Sequence, residues 1–122
     1  MVDAMALRQK KCVPCEGGAQ PLTEDKAKEY LRAFDGWELG QNRGAIQKTY
    51  VMKDFLAAVK LIQTIAEIAE AEDHHPDVHL TGYRKLFIEL STHAIKGLSE
   101  NDFILASKID ALPKDLKQKS SA

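Results

Sequence analysis

Between residues 70 and 77 the chain reads Glu70-Ala71-Glu72-Asp73-His74-His75-Pro76-Asp77, and no other run restricts the fold as strongly. Pro76 has no N–H to donate and biases His75 away from the α region, so a helix arriving here must end and an extended segment must follow. Two adjacent imidazoles then sit at a helix-to-strand junction and point in different directions. His93 follows Ser91-Thr92 downstream, which brings three of the four histidines into one constellation. Histidine, with an ordinary pKa of about 6.5, exchanges protons near neutrality, and two neighbours can offer an acid and a base to one small substrate. A single histidine in a last helical turn reads as a surface residue that complements the helix dipole. The doublet, the proline and the third histidine together favour chemistry.

The periods on either side supply the frame. Pro21-Leu22-Thr23-Glu24-Asp25 is a helix start with Thr23 as cap, and Ala27, Tyr30, Leu31 and Phe34 recur at helical spacing up to Asp35-Gly36. Trp37 to Leu39 and Ala45 to Val51 alternate as a hairpin around residues 40–44. From Asp54 to about Asp73, the residues Phe55, Ala58, Val59, Ile62, Ile65, Ala66 and Ala69 mark one face of a long helix. Asp77 to Thr81 and Arg84 to Thr92 read as two strands joined at Gly82, with His93 closing the second and projecting with Ser91 and Glu89. Ser99 and Asp102 make a capping-box variant for a last helix that runs toward Pro113. The expected fold is α+β: a four-stranded antiparallel sheet with three helices on one face, in the order α-β-β-α-β-β-α.

At 122 residues, the chain is long enough for one core. The expected organisation is an arm over 1–20, mobile or loosely packed, a single domain over 21–113 and a polar, frayed tail over 114–122. Seventeen Lys and Arg against 18 Asp and Glu leave no basic field for nucleic acid, and no apolar run reaches the ~18 residues of a membrane span. The first residues lack the apolar stretch of a signal peptide, so a cytoplasmic protein is expected.

Both cysteines lie in Cys12-Val13-Pro14-Cys15. A redox pair should follow a strand and open a helix, and zinc needs two further ligands, which His79 or a second chain could supply only by coincidence. A reduced, structural or idle pair is the expectation, with no metal and no cofactor. Since the pair is expected to lie outside the histidine constellation, removal of residues 1–18 should leave activity largely intact.

The run from Trp37 to Asp110 resembles the pterin-4a-carbinolamine dehydratase family. The residues that carry the resemblance are Glu70, His74-His75-Pro76, Tyr83, His93 and Asp102, with Gly97-Leu98-Ser99 and Leu105-Ala106 in the last helix. Lys11 to Gly18 looks like the extension of microbial and plastid-type members. Val78 and Ala94 depart from the animal branch, which carries Trp and Glu there. The resemblance implies dehydration of 4a-hydroxytetrahydrobiopterin to quinonoid dihydropterin, the recycling step after aromatic amino acid hydroxylation. It also implies that His74, His75 and His93 surround the carbinolamine, with pterin contacts from Asp73 and from Ser91, Thr92, His93 and Ala94.

Loss of water from C4a needs a proton delivered to the leaving hydroxide and a proton removed from N5, and acid and base suffice for both. We assign His75 as the base, His74 as partner acid or orienter, and His93 to the hydroxyl. Glu70, one turn before His74, reads equally as its orienter and as a solvated helix acid. Asp102 reads as a helix-start residue rather than a catalyst. The expected assembly is a homodimer or homotetramer, since a sheet with a free edge strand suits pairing between chains. The competing reading is a non-catalytic dimerisation or assembly-factor module on the same fold.

Overall fold

Alternating burial along the strands gives the sheet one apolar face, and the helices collect there. The computed structural model describes residues 3–13, 20–41 and 44–118. The elements are α1 (Ala4–Arg8), α2 (Glu24–Leu31), β1 (Glu38–Leu39), β2 (Ile46–Val51), α3 (Phe55–Glu72), β3 (Asp77–Thr81), β4 (Lys85–Leu90), a 3-10 turn (His93–Ile95) and α4 (Glu100–Asp110). The strands form one antiparallel sheet in the order β1-β2-β4-β3. Its register places Ile46 opposite Leu90 and Tyr50 opposite Leu86, and Val78 opposite Ile88. Ile46, Leu86, Ile88 and Leu90 are fully buried under the helices, with Val78 packed against the same core. Thr49, Lys85, His79 and Thr81, pointing the other way, are exposed.

α4 is the central helix. Asn101 through Ser107 and Ile109 are all buried, because the rest of the fold closes around it and α1 packs against it. A helix enclosed on every side needs its few polar groups satisfied. At its C-terminal end Asp110 accepts from Trp37 Nε1 at 3.0 Å and from Lys48 Nζ at 3.0 Å, and also from the Tyr50 hydroxyl. Burial, with the Asp110 carboxylate beside it, pushes the Tyr50 phenol well above its usual range.

The α+β architecture agrees with the sequence reading, and several local expectations are corrected. Residues 3–13 do not form a loose arm: α1 is capped by Asp3, and Leu7 is 4% exposed within the core. Nor does the whole tail fray: Leu116 bridges Met52, Lys53 N–H donates to the Asp115 carbonyl and Lys117 N–H to that of Val51. Backbone groups at the end of β2 thus find partners that sequence polarity does not reveal. α2 ends at Leu31 rather than at Gly36, because Ala33 and Phe34 already donate to carbonyls three residues back and tighten the chain into turns. The buried stripe of α3 is Ala57, Ala58, Leu61, Ile65 and Ala69, so Phe55, Val59 and Ala66 of the expected stripe lie outward.

β4 ends at Leu90, two residues earlier than expected. Thr92 and Gly97 pair as an isolated bridge around the 3-10 turn, so His93 does not follow strand alternation. The base of this loop is pinned to the lead into α2. Leu22 N–H donates to the Leu98 carbonyl at 2.8 Å, and a Cβ on Gly97 would stand 2.6 Å from Pro21 Cβ.

Candidate active site

The site begins where α3 stops. Asp73 takes the left-handed conformation (φ 51°, ψ 41°) and its N–H returns to Glu70, while His74 N–H reaches back to the Ala69 carbonyl at 3.2 Å. This is the paired closure usually made by Gly, here carried by an Asp, whose short polar side chain tolerates that region. The turn and Pro76 separate the two imidazoles. His74 goes inward, its side chain 11% exposed, and His75 outward at 56%.

Each imidazole meets one carboxylate. His74 Nε2 lies 2.7 Å from Asp102 Oδ1, a fully buried oxygen at the start of α4. Asp102 Oδ2 accepts from Ser99 N–H at 3.0 Å and from Thr92 Oγ1 at 2.9 Å, and Thr92 Oγ1 also lies 2.7 Å from Ser99 Oγ. One carboxylate therefore caps α4, ties down the loop before His93 and fixes the edge of His74. Asp102 is a helix-start residue, as expected, but the structure also places it on an imidazole. Its i+3 spacing from Ser99 explains the cap, whereas the bond to His74 spans 28 residues and leaves no local signal.

Glu70 does not orient His74. Its Oε2 lies 2.6 Å from His75 Nε2, because the reversal at Asp73 swings His74 away from the helix and leaves His75 over its last turn. Both partners are mostly exposed, and this pair adds little stability.

An open cleft of about 600 Å³ gathers the expected residues: Asp73, His74 and His75 from the junction of α3 and β3, and Ser91, Thr92, His93 and Ala94 from the loop after β4. Cys12, Val13, Glu72 and Asn101 also line it, although none of them was among the expected site residues. Cys12 is therefore not outside the histidine constellation, while Cys15 lies outside the described residues. Burial, reinforced by the Glu72 charge, pushes the Cys12 thiol up to about 12. Burial alone would raise Glu72, yet the Cys12 N–H and the Lys108 ammonium outweigh it and hold this carboxyl below its usual range. Tyr83 does not line the cleft; it stands exposed at the β3–β4 turn, its ring 4.9 Å from the Arg84 guanidinium carbon. His79 lies on the outer sheet face beside Phe87, away from Cys12 and the cleft.

The arrangement offers two carboxylate-held imidazoles and a third lining the same cleft, a set suited to moving protons. Comparison with known proteins agrees in kind. The family model described as pterin 4 alpha carbinolamine dehydratase matches residues 20–112. A Halorhodospira halophila protein, named provisionally as a pterin-4-alpha-carbinolamine dehydratase, is 43% identical over 88% of this chain and 98% of its own. The mitochondrial pterin-4-alpha-carbinolamine dehydratase 2 of Arabidopsis thaliana is 43% identical over 87% of this chain, which spans 58% of that longer protein. A Brucella melitensis crystal structure described as a transcriptional coactivator/pterin dehydratase superposes with a TM-score of 0.71 at 37% identity, covering 75% of this chain and 97% of its own. With the match spanning the sheet, the long helix and the cleft, the chain belongs to the pterin-4a-carbinolamine dehydratase family of hydro-lyases.

Proposed function

We propose that this chain dehydrates 4a-hydroxytetrahydropterin to quinonoid dihydropterin and water by histidine acid/base catalysis, in tetrahydrobiopterin recycling. The observation that carries the reading is the buried Asp102–His74 pair in one cleft with His93 and with His75, which Glu70 holds. A carboxylate oxygen only accepts, so Asp102 holds the proton of His74 on Nε2 and leaves Nδ1 as the other working nitrogen. His74 is then a fixed orienter, and it serves as the acid partner when Nδ1 carries a second proton as well. His75, solvent-facing and backed by Glu70, takes the N5 proton and can pass it to bulk water. His93 protonates the hydroxyl as the C4a–O bond breaks; the N5–H electrons form the C4a–N5 double bond, and water leaves. One proton enters and one departs, with no electron acceptor in the balance.

Asp73, Ser91, Thr92 and Ala94 form the remaining substrate-facing rim in this reading. No helix among the described residues is long and apolar enough to cross a membrane, and a cytoplasmic site of action belongs to the same proposal. Self-association does too. β3 has one unpaired edge, and Phe55, Leu56 and Val59 expose an apolar patch on the first turns of α3. The deciding experiment is direct assay of dehydration with synthetic 4a-hydroxytetrahydropterin. Acceleration over the spontaneous reaction, lost in His74→Ala and His93→Ala, is expected; a rate equal to the spontaneous one would leave only the assembly-module reading.

A further inference from the structure

Residues 10–13 form a strap tied to the first residues of α4 and the last of α3, and Cys12 and Val13 of it line the cleft. Cys12 N–H donates to Glu72 Oε1 at 2.7 Å. Val13 makes a reciprocal pair with the Asn101 side chain, its N–H donating to Oδ1 at 3.0 Å and its carbonyl accepting from Nδ2 at 2.5 Å. Both anchors are themselves fixed: Asn101 is 5% exposed, and the Glu72 side chain, 8% exposed, holds Lys108 Nζ at 3.3 Å. Behind the strap Leu7 plugs α1 into the core. Lys10 adds an exposed bond to Glu100, a contact of little weight.

The tether could have served stability alone, with the strap turned to solvent. Instead Cys12 and Val13 border the same cleft as His74 and His93. Val13 is 64% exposed there, an aliphatic surface offered to whatever fills the space. Its anchors also sit next to the catalytic frame, Glu72 directly before Asp73-His74 and Asn101 directly before Asp102.

From this we infer that Cys12 and Val13 form a substrate-contacting wall of the cleft that sets affinity for the reduced pterin, with Glu72 and Asn101 as positioning residues of the strap. The inference rests on the pterin reading above. The strap brings no proton-transfer group to the reaction: Val13 is aliphatic and the Cys12 thiol is turned onto the Asn101 carbonyl at 3.6 Å. Contacts made equally to substrate and transition state change KM and leave kcat in place.

The test uses the full chain and two measurements. Val13 methyl resonances of the wild type are followed by NMR during titration with 7,8-dihydropterin, and steady-state dehydration is compared in wild type and Asn101→Ala. The expected result is a saturable shift of the Val13 methyls, with KM raised about tenfold in the variant and kcat within about twofold. Shifts confined to residues near His74 and His93 overturn the wall while leaving the pterin reading intact. A variant with lowered kcat at unchanged KM has merely lost folded enzyme, and that outcome overturns the positioning role. A wild type that neither shifts nor turns over ends the pterin reading, and the wall with it.

Discussion

Asp102 shows how much one buried carboxylate can be asked to do: it caps α4, holds Thr92 and fixes His74. Asp102→Asn keeps the shape but puts an amide where an acceptor is needed, either toward His74 or toward Thr92 and Ser99. If His74 has to keep its proton on Nε2, turnover should fall about 10²-fold or more. Rates unchanged from wild type would detach Asp102 from the chemistry. His75→Ala should cost a similar factor in turnover with a stability change within about 1 kcal/mol, because an exposed imidazole supports little packing. Ile65→Ala, at a position 1% exposed, should instead cost about 2 to 5 kcal/mol with the site chemistry intact in the folded fraction. Melting temperature and kcat on the same three variants separate the two patterns. The histidines were legible because the proline and the doublet are local. The partners were not: Glu70 goes to His75 rather than His74 only because Asp73 reverses the chain.

The same divide holds at the level of elements. Alternation and helical period mark the four strands and three longer helices, since each must bury one face. α1 and the strap carry no period, and their places are decided by partners 60 to 90 residues away. The strap's main link to α3 is the Cys12 N–H bond to the Glu72 carboxylate, and an acceptor that can be protonated makes it sensitive to acid. The Cys12 N–H and the Lys108 ammonium hold the Glu72 carboxyl below the usual carboxylate range in the folded chain, so the stability it contributes is present at neutral pH and is lost as pH falls through its folded value. Hydrogen exchange at Cys12 should therefore accelerate, relative to neighbouring core amides and after correction for intrinsic rates, as pH falls through and below the ordinary carboxylate range. A Glu72→Gln chain should show the loosened strap already at neutral pH, and equal protection in both proteins across that range would refute the carboxylate tether. Gly97 belongs to this scale as well. Pro21 occupies the space a side chain would need, so Gly97→Ala must push apart the two segments that pin the His93 loop.

For the whole molecule, the informative mismatch is the apolar face of α3. The single α3 stripe expected from the sequence is only partly used; the core takes Ala57, Leu61, Ile65 and Ala69, and leaves Phe55 at 55%, Leu56 at 60% and Val59 at 40% exposure. A stripe at helical period that the core does not use is suited to a second copy of the chain, and this is where we place the self-association expected of the fold. Light scattering at micromolar concentration should return at least twice the 13.6 kDa chain mass. The variant Phe55→Glu with Val59→Glu should lower that mass without unfolding the protomer, for a reason internal to the helix: both sites are exposed in the chain, and an acid at the first position after the Asp54 cap favours the positive end of the dipole. An unchanged mass in the double variant would move the contact to the free edge of β3, where Thr81→Pro is the corresponding probe. A monomeric wild type would sink the assembly proposal altogether. The cleft would not fall with it, because every residue placed there, from the strap to His93, comes from one chain.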